Sequence, residues 1–156
     1  MHPEFGPDLT VVVSVLQTAL TPAFLLVAVG SLLNVLTGRL SRIVDRSRDL
    51  QQLHGVTEGP AHQRVVAELR IIERRMHVVG SSILFAVLSA ITVCIMIALL
   101  FLMGLTKFSA PWIAVSVFML SLALLATCLL QFVHEIRLAT HAIHVPEEYL
   151  ELPEKS

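Results

Sequence analysis

The chain has 156 residues, of which 55% are apolar and only 15% charged, with a formal net charge of −1. About a quarter of the residues of a water-soluble domain are charged, so this balance argues against one, and the length is a single domain's worth. The two cysteines both lie in uncharged apolar stretches and form no C-x-x-C, so neither a disulfide nor a thiol redox motif is expected.

The opening "MHPEFGPDL" has no basic region before its first apolar residues, so a cleaved signal peptide is not expected. Residues 1–8, with Glu4 and Asp8, read as a short external arm. From Leu9 to Gly38 there is no Asp, Glu, His, Lys or Arg, and the same holds from Val78 to Leu105 and from Phe108 to Val133. Each run exceeds the roughly 20 residues a helix needs to cross about 30 Å of hydrocarbon. The runs are uniformly apolar, whereas a barrel strand alternates its faces, so helices are the expected spanning elements. The fold class is therefore all-α: an integral membrane protein with three transmembrane helices over 9–38, 78–105 and 108–133.

Pro22 interrupts the first run. It either kinks one helix or divides the run into a short outer helix and a span starting near Pro22; one kinked helix is the favoured reading. Gly30, Asn34 and Gly38 mark a narrow face on this span, suited to close helix packing. Gln17, Ser31, Asn34 and Thr37 are among its polar side chains.

Directly after Gly38 comes "GRLSRIVDRSRDLQQL", with arginines at 39, 42, 46 and 48. Leu40, Ile43, Val44 and Leu50 recur there at helical spacing, with the arginines on the remaining arc. After "HGVTEGPA" (His54 to Ala61), which carries turn residues, Val65, Leu69, Ile72 and Met76 repeat the pattern. Residues 39–77 are thus expected to form an antiparallel helical hairpin continuous with the first two spans. It would protrude by roughly 20 Å. Its charges are mixed: Arg39, Arg42, Asp45, Arg46, Arg48 and Asp49 on the outgoing arm, Glu68, Arg70, Glu73, Arg74 and Arg75 on the return. Glu135, just beyond the third span, is expected to join this cluster.

Ten of the eleven basic residues lie between the first two spans or after the third, against Lys107 alone between the second and third. Basic loops remain cytoplasmic, which places the N-terminus outside, the hairpin inside and the C-terminus inside. Arg39–Arg75 carries eight basic and five acidic residues, and His134–Ser156 two basic and five acidic. The acidic tail 134–156 is accordingly expected to lie against the basic hairpin. A solvated face attracted to lipid headgroups accounts for the same charges.

Down the second span a small residue falls every four positions: Ser82, Ala86, Ala90, Cys94 and Ala98. That ladder predicts close packing with a right-handed crossing, part of it against another subunit; ordinary composition is the alternative. Pro111 and Trp112 suit a helix start and an aromatic anchor at the membrane surface. Cys94 and Cys128 read as small packing residues.

The order "LTPAFLL", "GRLSRIVDRSRDL", "ERRM" and "FVHEIRLA" resembles an uncharacterised bacterial membrane family, domain of unknown function twenty-seven twenty-one. The resemblance covers about Leu9 to Thr140, and the arginine cluster is its most specific element. It implies three spans with a basic cytoplasmic hairpin in a bacterial inner membrane, and it assigns no catalytic residue.

Catalysis is not expected. No Asp, Glu, His, Lys or Arg lies inside a span, so buried acid–base pairs and proton relays lack their parts. His134 and Glu135 begin an H-E-x-x-H zinc motif, but its second histidine position is Leu138. His134, His141 and His144, or His77 with His134 around a haem iron, are weighed as ligands. They read more simply as interfacial residues, so no metal or cofactor is expected. The arginines alternate with acids and lack stacking aromatics, which argues against nucleic acid. Two functions remain. One is a self-associating scaffold or accessory subunit, whose hairpin docks membrane lipid or a cytoplasmic protein partner. The other is a homo-oligomeric, anion-leaning ion channel lined by Gln17, Ser31, Asn34 and Thr37, with arginines 39 and 42 around its inner mouth.

Overall fold

The computed structural model describes residues 9–106 and 110–141. Among them are three helices and no strand: α1 (Leu9–His54), α2 (Gly59–Leu105) and α3 (Pro111–His141). All three are long and apolar enough to cross a membrane. Only 17%, 22% and 11% of their most apolar windows are buried within the chain. Phe24, Leu84, Ile91, Leu102, Val115 and Leu130 are among the large apolar side chains left facing outward. Water would oppose exposing so much hydrocarbon, whereas lipid does not.

Helix α1 is one helix through Pro22. Proline cannot supply the bond that the Thr18 carbonyl would receive, yet the turns on either side hold the helix together. Helices α1 and α2 also run unbroken from apolar run to polar arm, as the apolar spacing predicts. The turn between them is short. Gly55 and Val56 donate their N–H groups to the Gln52 and Leu53 carbonyls, and the Thr57 hydroxyl donates to Leu53 as well. Gly59 then opens α2 at a φ of +66°, a backbone region that side chains disfavour, and Pro60 follows in the first turn. Pro111 starts α3 in the same way, with an exposed Trp112 beside it.

Burial follows a period of seven. On α1, Pro22, Val29, Leu36, Ile43 and Leu50 are buried; on α2, Ile72, Val79, Ala86 and Val93; on α3, Ser121, Cys128 and Glu135. A seven-residue repeat belongs to left-handed supercoiled packing. Helix α2 lies between the other two and packs against both. One buried cluster joins Val29 and Leu36 of α1, Ala86 of α2 and Cys128 of α3. A second, in the polar arms, joins Ile43 and Leu50 to Ile72 and Val79, with Leu40, Val65, Leu69 and Met76 around it.

Within one chain, the expected four-residue ladder on α2 is therefore only partly a packing face. Ser82 and Ala86 are buried and Ala90 packs on the core, but Cys94 and Ala98 are exposed. Each step of four residues drifts about 40° around a helix of 3.6 residues per turn, so four steps cannot stay on one face. Ser82, Ser89 and Met96, with Val79, Ala86 and Val93 between them, form the buried face instead. Gly30, Asn34 and Gly38 also face outward, and a methyl group added at either glycine would touch nothing. The close approach of α1 and α2 is at Gly104, where an added Cβ would overlap the Val15 side chain.

Polar contacts hold α2 to α3. The Ser89 hydroxyl donates to the Ser121 carbonyl at 2.9 Å, and those of Ser81 and Ser82 donate to Gln131 Oε1 at 2.9 and 3.3 Å. Hydrogen bonds of this kind supply cohesion where hydrocarbon on all sides removes the hydrophobic driving force between helices.

Candidate functional site

The three helices meet in a charged junction at the end of their apolar runs. Arg39 follows the first run directly, Arg75 stands just ahead of the second, and Glu135 lies two residues past the third. The turn makes this alignment: Arg39 lies 18 residues before Thr57 and Arg75 lies 18 after it, so an antiparallel hairpin brings both to one level. Helix α3 supplies the carboxylate there. Glu135 is 1% exposed; its Oε2 accepts from Arg39 Nη1 and its Oε1 accepts from Arg75 Nη2 at 2.9 Å.

A buried carboxylate is tolerated only when its charge is matched and its oxygens are hydrogen-bonded. Each oxygen of Glu135 has its own guanidinium, and the two arginines are about 30% exposed, so they keep part of their hydration. The Arg39 guanidinium also lies over the Phe132 ring, 5.1 Å from its centre, an attractive cation–π placement. One carboxylate thus ties α3 to both arms of the hairpin.

One turn and more further along the arms, Arg46 Nε and Nη2 donate to Glu68 Oε1 at 3.1 and 2.7 Å. These residues mirror each other too, each 11 positions from Thr57. Between this pair and the Glu135 junction lies a cleft of about 420 Å³, lined by Arg39, Arg42, Arg46, Arg75, Glu68 and Glu135 over a floor of Ile43 and Ile72. Four guanidiniums face two carboxylates, so the lining carries a formal charge of +2.

Of the predicted charge cluster, Arg39, Arg42, Arg46, Arg75 and Glu135 come together here. Asp45 and Arg48 form an exposed pair at 3.9 Å along α1, while Asp49, Glu73 and Arg74 are exposed and do not line the cleft. Phe132 and the serine–glutamine contacts are neighbours that the sequence analysis left out, and Glu68, named there only among the charges of the return arm, lines the cleft as well. The mirror position about the turn is the signal that finds Glu68.

The polar side chains of the first span face away from the bundle. Ser31 and Thr37 donate to carbonyls of their own helix, at Val27 and at Leu33 and Asn34; Gln17 and Asn34 are exposed. His77 and His134 are exposed, and His144 lies outside the described residues, as does the acidic tail from residue 142. Among the described residues, no three His, Cys, Asp or Glu side chains stand close enough to hold a metal ion.

The model of the family described as "Protein of unknown function (DUF2721)" matches residues 19–145. The chain belongs to this family. The DUF2721 region takes in all eight residues lining the cleft and most of all three helices. No curated protein and no solved structure gives a match.

Proposed function

We propose that this DUF2721 chain is a non-catalytic scaffold or accessory subunit of a bacterial inner membrane. Its charged hairpin stands in the cytoplasm, docked on lipid headgroups or on a protein partner. The observation that carries this reading is the Glu135 junction. It fixes the base of a helical hairpin to all three membrane-length helices, which makes the hairpin a rigid projection instead of a loose loop. The eight basic residues of 39–75 support a cytoplasmic position for it, with both the hairpin and the C-terminus inside. Self-association is supported by the outward polar groups Gln17 and Asn34, which in hydrocarbon favour a hydrogen-bonding neighbour.

The channel is the second reading, and the same outward polar face of α1 supports it once several copies assemble. Against it, Arg39 turns inward onto Glu135 and is not available to ring a pore. Crosslinking and native mass determination, followed by ion-flux measurements in reconstituted vesicles, separate the two. The scaffold reading predicts an oligomer with no flux above that of empty vesicles. Anion flux that falls in Asn34→Leu would overturn it in favour of a pore, and a strict monomer would remove self-association.

A further inference from the structure

We propose that the arginine cleft between the two polar arms binds a phosphate group, carried on a lipid headgroup or free in solution. This does not rest on the scaffold reading, because the cleft is complete within one chain.

The charges of the cleft do not cancel internally. Glu135 is already satisfied by Arg39 and Arg75, and Glu68 is engaged by two bonds from Arg46. Arg42 lines the same cleft and has no hydrogen bond or ion pair with any described residue. A cleft with net positive charge and a guanidinium uncommitted among the described residues suits an anion. Guanidiniums match phosphate in particular, since their parallel N–H groups meet two oxygens of a tetrahedral anion at once. The volume of about 420 Å³ is that of a small-ligand pocket.

Its height also suits a headgroup. The apolar run of α1 ends at Gly38, and Arg39 to Arg46 span about 10 Å of helix beyond it. The headgroup layer on each side of a bilayer is about 5 to 8 Å thick. Arg39 and Arg42 therefore stand at the level of lipid phosphates.

The test uses the purified full-length protein and two probes. Inorganic phosphate is titrated calorimetrically against chloride at matched ionic strength. Phosphatidylcholine vesicles with phosphatidic acid, or with oleate as an anion lacking phosphorus, are scored by lipid retained in native mass spectra. Arg42→Gln is expected to weaken phosphate or phosphatidic acid binding about 10-fold, the size of one lost charge-assisted bond. Arg74→Gln, which removes the same charge outside the cleft, is expected to leave it within about twofold, the change for a solvent-screened charge. Glu68→Gln is expected to bind as tightly or tighter. Retention of phosphatidic acid alone assigns a lipid source, and binding of both probes or of inorganic phosphate alone assigns a site for the phosphate group as such. Absence of binding to either probe, equal retention of oleate, or equal losses in Arg42→Gln and Arg74→Gln would overturn the proposal.

Discussion

Replacing Glu135 by glutamine keeps the shape of the side chain and removes its charge. In the native junction the carboxylate is 1% exposed and accepts from Arg39 and Arg75. Removing one member of a buried ion pair costs about 3–5 kcal/mol, because the remaining charge stays desolvated. Here the surviving guanidiniums are about 30% exposed and can rehydrate, which lowers the expected loss to about 2–3 kcal/mol. The amide adds a second penalty, since its NH₂ group would point donors at a guanidinium that has only donors. An unfolding titration in mixed micelles, followed by loss of helicity, measures the difference. A triple replacement, Arg39→Met, Glu135→Leu and Arg75→Met, separates net stability from pairing. It should return to within about 1 kcal/mol of the native protein, since an apolar set of similar volume leaves no orphaned charge. A Glu135→Gln protein within about 0.5 kcal/mol of the native one, the range of ordinary surface substitutions, would refute the reasoning.

The end of the α1–α2 pair opposite the hairpin depends on Gly104. Gly104→Val should destabilise by about 1–3 kcal/mol through overlap with Val15, and adding Val15→Ala should restore most of the loss; the same titration checks both. Ser89→Ala removes the bond to the Ser121 carbonyl and should cost about 0.6 kcal/mol, at most about 1.7; an unchanged midpoint would mean that contact contributes nothing. Deleting the residues after Pro146 should raise the protease sensitivity of the hairpin, if the acidic tail covers its basic face; unchanged cleavage rates would dismiss that contact.

Spans and hairpin are legible in the sequence because composition is a strong signal: thirty residues from Leu9 without an ionisable group suit a hydrocarbon solvent and no aqueous one. The arms are legible too, since Leu40, Ile43, Leu50, Val65, Leu69, Ile72 and Met76 stand out from polar neighbours. Inside the spans this contrast vanishes. Every face of such a helix is apolar, so the hydropathy pattern does not show that Val29 and Leu36 are buried while Val27 and Val35 face outward. The informative residues there are the small and polar ones, and their working period is seven, not four. Ser82 and Ser89 are seven apart, as are Ser121 and Cys128, and that spacing marks the buried face where the four-residue ladder drifts off it. Glu135 groups with the charged residues of the hairpin by its place in the sequence, but its burial is not legible there. That depends on α3 ending level with two arginines from other helices, which no local pattern states.

The junction requires the hairpin turn and the carboxyl end of α3 to lie on one side of the membrane. Compartment-sensitive reporters inserted at Gly55 and fused after Ser156, each in otherwise native chains, test this most directly. Both are expected to report the cytoplasm. Reporters on opposite faces would contradict the three-helix junction, since Arg39, Arg75 and Glu135 could then not meet.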